Sequence, residues 1–259
     1  MIAGAACACL IALAGAQGPG AAAAQTRGVA GSTAPASPEA MRIARALTAL
    51  AYPADALRAM NLRTWEIATR TALENDPGTA ALEAEFPGIR KAAIDAARPI
   101  ARLGVDAFVT KMLERNAEIF AARLTPSEMR AAIEMYQVPA VQKMLLAVLE
   151  GVDIRPIAAA AVDSVASTGA PNIDPAAIKR EERASMRRTA AKLTPAETIA
   201  IMRFEKAPWF PKLVAARTEI ERETMQAVNA PDPAWIEKQQ AAMRHAILAF
   251  ADRPQAATQ

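Results

Sequence analysis

From Ser37 onward, apolar residues recur at spacings of three and four, the period of a helix with one buried stripe. No segment alternates with period two over a useful length, so no strand is predicted. Ser37-Pro38-Glu39 is a helix start: a serine cap, then proline where the missing N–H does no harm. That helix is predicted to reach about Ala51. Pro53 opens a second, with Leu57, Met60, Ile67 and Leu73 at near-helical spacing. Asn75-Asp76-Pro77-Gly78 reads as a turn and Phe86-Pro87-Gly88 as a further break. A long helix is predicted from about Arg102 to Arg123, with Val105, Val109, Met112 and Phe120 on one stripe.

Thr125-Pro126-Ser127-Glu128 is a capping box, in which threonine and glutamate satisfy backbone N–H groups reciprocally. Its helix carries Met129, Ala132, Ile133 and Tyr136. Pro139 ends that helix and starts another, to about Glu150. A small-residue stretch, Ala158 to Gly169, leads to a turn and then to a helix beginning at Asp174-Pro175. The box then recurs as Thr194-Pro195-Ala196-Glu197, 69 residues on (194 − 125). In the same register Leu124, Ala131, Pro139 and Lys143 match Leu193, Ala200, Pro208 and Lys212. Capping chemistry alone accounts for Thr, Pro and Glu. It does not account for the second Pro and the Lys, so an internal duplication of a helix–break–helix unit is expected. A last helix follows Asp232-Pro233.

Composition agrees. Hydrophobic residues make up 53% of the chain, dominated by Ala, and aromatics only 4%. Alanine is the best helix former and strands favour aromatic residues, so the balance points to an all-α protein. Residues 1–24 read as a secretory signal. Ile2 to Ala16 is uncharged and apolar, Gly18-Pro19-Gly20 breaks it, and Ala22-Ala23-Ala24 offers a cleavage site; no Lys or Arg precedes the run. An uncleaved anchor is the rival reading, but the run is short for a span. Both cysteines, Cys7 and Cys9, fall inside it, without the residues that lipidation needs. A mature chain without cysteine excludes disulfides, zinc–thiolate sites and a thiol nucleophile. Residues 25–36 are expected to be a flexible leader, and a periplasmic or secreted location follows from the signal.

Glu114 to Glu150 resembles the bacterial secreted or periplasmic family carrying domain of unknown function 2059. The likeness lies in Ala117-Glu118-Ile119-Phe120, Leu124-Thr125-Pro126-Ser127-Glu128-Met129 and Met135-Tyr136-Gln137-Val138-Pro139-Ala140-Val141-Gln142-Lys143. Met135, Val138 and Val141 depart from the family's aromatic, Ser and Gly. The second copy, Ala190 to Val214, is more diverged, with Glu205 at the Tyr position. The resemblance implies an all-helical exported protein and no activity.

One histidine, His245, points away from the Met243/Ile247/Phe250 stripe, and a triad or His-rich metal site needs more. No phosphate loop, G-x-S-x-G elbow or H-E-x-x-H occurs. The methionines are scattered, as core filler rather than copper ligands. Glu128 and Glu197 belong to their capping boxes, and Tyr136 reads as a core ring with its hydroxyl at the edge. Lys143 and Lys212 each stand in the first turns of a helix, where the dipole opposes a cation, which hints at an anion. Pro208-Trp209-Phe210-Pro211-Lys212 puts two rings where the first copy has Ala140-Val141. They read first as core cover at a helix start, with a partner-docking anchor as the alternative. Net charge is +3, and Lys179–Lys192 holds six basic residues, Arg187 and Arg188 among them, against two acidic. A solvated face is the ordinary meaning of such a run; export argues against nucleic acid and leaves an anionic lipid or envelope polymer as its partner.

The expectation is therefore an all-α helical bundle with an internal duplication, in two halves (37–168 and 169–259) packed as one body. Its expected role is that of a non-enzymatic exported interaction protein without cofactor or metal. Binding of an anionic lipid or polymer is the alternative, with Trp209, Phe210, Lys212, Lys143, Arg187 and Arg188 as the contact residues.

Overall fold

A computed structural model describes residues 36–168, 173–230 and 232–252; the expected signal and nearly all of the leader lie outside them. The described residues form eleven helices and no strand. In order they are α1 (Pro38–Ala51), α2 (Ala54–Asn75), α3 (Pro77–Glu85), α4 (Ile89–Arg123), α5 (Pro126–Gln137), α6 (Pro139–Gly151), α7 (Arg155–Thr168), α8 (Pro175–Ala190), α9 (Pro195–Glu205), α10 (Phe210–Val228) and α11 (Pro233–Ala251).

One local rule starts six of them. Ser37, Asp76, Thr125, Asp174, Thr194 and Asp232 each accept a backbone N–H from the helix they precede, and proline follows each. The side-chain oxygen thus satisfies a donor that has no partner inside the helix. This rule corrects the predicted turn at Asn75–Gly78: Asp76 caps α3 and Pro77 is its first residue. The long helix also begins earlier than Arg102. Gly88, at φ 98°, turns the chain, and the Glu83 carboxylate accepts N–H bonds from Gly88 and Arg90 at the new start. From there α4 runs through Pro99 without ending. The Ala158–Gly169 stretch is largely helix too, because its alanines favour that state and Ile157, Ala158, Ala161 and Val162 bury one face.

α4 is the axis of the molecule: α1, α2, α3, α10 and α11 all lean on it. α5 packs on α1 and α6; α6 in turn contacts α2, α8 and α9; α7 covers α2. The main core draws residues from α1 to α10, Leu47, Phe120, Met129, Leu145 and Leu213 among them, so both predicted halves share it. A smaller cluster, Trp65, Ile94, Ala97 and Ala101, lies under α11. There the Trp65 indole donates to Gln239 Oε1 at 2.5 Å and the Trp235 indole to the Ile100 carbonyl at 3.1 Å.

Candidate functional site

The two capping boxes and the two lysines meet. Thr125 and Thr194 hold the same backbone conformation, φ −71° and ψ 159°. In each box the glutamate divides its oxygens. Glu128 Oε2 accepts the Thr125 N–H at 2.8 Å, and Oε1 accepts from Lys212 Nζ at 2.6 Å. Glu197 Oε2 accepts the Thr194 N–H at 2.8 Å, and Oε1 accepts from Lys143 Nζ at 3.0 Å. Each unit's lysine therefore reaches the other unit's cap. The anion that offsets the helix dipole at both lysines is internal. Lys212 and then the Thr125 N–H hold Glu128 below the usual carboxylate range; the Thr194 N–H and then Lys143 hold Glu197 down at about 2.

Phe210 is 6% exposed and belongs to the main core, which takes it out of any surface anchor. Trp209 is half-buried on the same core, edge-on to Phe210 with ring centroids 6.2 Å apart. The helix begins at Phe210, two residues after Pro208, with Pro211 in its first turn.

α8 has two unlike faces. Ile178, Glu182, Ser185 and Thr189 follow helical spacing and are buried, so three of its four inward positions are polar. Ser185 Oγ donates to the Val148 carbonyl at 3.1 Å, and Arg188 donates to the Gly151 carbonyl at 2.6 Å, closing the end of α6. Arg188 is thus tied to the fold. Opposite the buried stripe, Arg180, Arg183 and Arg187 stand exposed on one face. Arg180 has only a distant carboxylate, Asp174 at 3.9 Å. Lys179, to one side, faces Glu221 of α10 at 3.6 Å.

Beneath that stripe lies a polar cluster that sequence reading missed. Glu182 is 2% exposed and its Oε1 has no hydrogen-bond partner. Arg217 of α10, 7% exposed, stands among Glu182, Glu221, Tyr52 and Tyr136. Burial, then the Glu221 charge, pushes Glu182 up to about 7, against the pull of Arg217 and Lys179. Burial raises Glu221 as well, with Arg217 and Lys179 opposing it. Burial also pushes the Tyr52 phenol up; its hydroxyl lies beside Arg217 without a hydrogen bond of normal geometry. Tyr136 is buried as expected, but its ring faces this cluster rather than the protein's edge. The available signal was the spacing: Glu182 keeps helical register with Ile178, Ser185 and Thr189, a pattern that the surrounding charges conceal.

Comparison of the chain with models of known families, with curated proteins and with solved structures finds no match. No group of three or more His, Cys, Asp or Glu side chains among the described residues is placed to hold a metal, and His245 is exposed. No described helix is long and apolar enough to cross a membrane. Chemically, the cluster can keep a proton on a carboxyl near neutral pH, and the α8 ridge can meet a negatively charged surface.

Proposed function

We propose that this is a non-enzymatic, exported interaction protein, that its contact face is the arginine ridge of α8, and that its partner is an anionic envelope lipid or polymer. One observation carries the reading. Arg180, Arg183 and Arg187 share a single exposed face of α8, and no carboxylate lies within close ion-pair distance of them as Glu114 does of Arg45 at 2.6 Å or Glu219 of Arg123 at 2.7 Å. A row of guanidinium groups is suited to phosphate or carboxylate oxygens. The predicted signal at residues 1–24 supports the exported part of the reading. The test is co-sedimentation with phosphatidylglycerol vesicles at low and high salt. Salt-sensitive binding that falls at least tenfold in Arg183→Gln/Arg187→Gln is expected; equal binding by parent and variant sinks the proposal.

We further infer that α5–α6 and α9–α10 descend from one duplicated unit. The reciprocal lysine–glutamate pairing supports this, since related units that meet about a two-fold exchange equivalent contacts. Divergence then follows from surroundings. Tyr136 is buried in the cluster below α1 and α5, while its counterpart Glu205 is exposed.

A further inference from the structure

α8 is held to the bundle by an unusual set of groups. Its inward stripe is one apolar side chain, Ile178, and three polar ones, of which only Glu182 is ionisable. Ser185 bonds to a carbonyl of α6. Glu182 instead enters the space beside α10, where it meets a second carboxylate, Glu221, and the Arg217 guanidinium. Lys179, one turn earlier on α8, is drawn to Glu221. Tyr52, at the end of α1, and Tyr136, on α5, also stand near Arg217. α6, which also packs on α8, turns its charges elsewhere: Lys143 to Glu197 and Glu150 to solvent.

The cluster thus has two carboxylates around one buried guanidinium, with one lysine at the margin. Glu221 is half-buried and holds the lysine; Glu182 is fully covered and keeps an oxygen without a donor. An ionised carboxylate in that position has one oxygen with neither water nor a hydrogen-bond donor, and a like charge stands across from it. A neutral carboxyl escapes the like-charge repulsion and pays a much smaller cost for its burial.

We propose that Glu182 is a proton-controlled latch: α8 seats on α6 and α10 while the Glu182 carboxyl holds its proton, and loosens from them when the proton leaves. The sign is fixed by the direction of the shift. Burial raises Glu182 from its ordinary 4.5 to about 7, so the seated helix binds a proton that the opened helix releases. Opening is therefore least favourable below 4.5, increases up to tenfold per pH unit from there to about 7, and levels off above. Burial sets most of the upper limit of this window, and the neighbouring carboxylate raises it further, because its charge disfavours a second one at Glu182.

The experiment is amide hydrogen exchange of the full chain from pH 4.5 to 8, corrected for the intrinsic pH dependence of exchange. In the parent protein the α8 amides are expected to lose protection at least tenfold between pH 5 and 7, while those of α5 keep theirs. Glu182→Gln, which keeps the shape of the protonated acid, is expected to hold α8 protected throughout. Glu221→Gln removes the facing charge and is expected to move the upper end of the window to lower pH, a shift that a merely structural glutamate does not cause. Flat α8 protection in the parent overturns the latch, as does a pH dependence that survives in Glu182→Gln. Should Glu182→Gln fail to fold, the parent profile and the Glu221→Gln shift decide, and an unmoved window in Glu221→Gln counts against the proposal.

Discussion

Gly104 faces an indole. A β-carbon built there meets Trp235 Nε1 at 2.0 Å and Cε2 at 2.3 Å, and that ring is held by its bond to the Ile100 carbonyl. Neither a rigid ring nor a helix backbone can yield by that much cheaply. Gly104→Ala is expected to destabilise the fold by about 1–3 kcal/mol, the usual cost of overpacking. Gly78 is the control: its added β-carbon has only Asp76 Oδ2 at 3.4 Å, so Gly78→Ala is expected to be neutral or to stabilise by up to about 1 kcal/mol. Urea melts of the two variants read the difference, and equal loss in both would show that the indole does not hold α11 in place. Nothing local marks Gly104 in the sequence as a packing glycine, since the ring that requires it lies 131 residues away (235 − 104). Glu182 was hidden for a related reason. A charged residue within a charged run reads as solvated until a partner helix covers it.

Helix starts were the most legible elements. A cap and its proline are chemistry within four residues, and Thr125 and Thr194 do what their sequence says. Thr125→Ala and Thr194→Ala are each expected to cost about 1 kcal/mol in a denaturant melt, because each leaves a backbone donor unpaired. The duplication makes the two costs similar, and a neutral result at either site would separate the two starts. The lysine contacts add little to those figures, since Lys143 and Lys212 are exposed, and exposed ion pairs contribute on the order of 0–1 kcal/mol. Legibility did not follow the cap alone: Asp76-Pro77 caps α3 but reads as a turn, whereas α2 and α6 are legible from Pro53 and Pro139 without a side-chain cap. The start of α4 depends on a glutamate five residues upstream of Gly88 and on a left-handed turn, and the helix continues through Pro99 while five other helices pack along it. Such support is tertiary, and no window of residues records it.

Across the whole molecule, opposed carboxylates set the dependence of stability on pH. Asp153, held at about 2 by Arg155, and Glu197, at about 2, contribute stability above their ordinary range and lose it as pH falls. Glu182 has the reverse sign: its contribution is complete below 4.5 and is lost as pH rises through about 7. Stability is therefore expected to peak at about pH 5, where Asp153 and Glu197 are still ionised and Glu182 still protonated in the folded chain. Urea midpoints from pH 3 to 8 check this, and a monotonic rise to pH 8 would mean that Glu182 does not titrate as its surroundings dictate. The all-α class was legible at this scale from composition and period; the axial position of α4 was not, because helix length says nothing about which neighbours a helix collects. The contact between Trp65 and Gln239 has one more consequence, in time rather than in space. A ribosome releases the chain from its amino end, and the acceptor for the Trp65 indole is made 174 residues after the donor. The main core can close once α10 has emerged, whereas the Trp65 cluster must wait for α11. Any amino-terminal portion of the chain that lacks α11 therefore leaves this small apolar patch complete on one side and uncovered on the other.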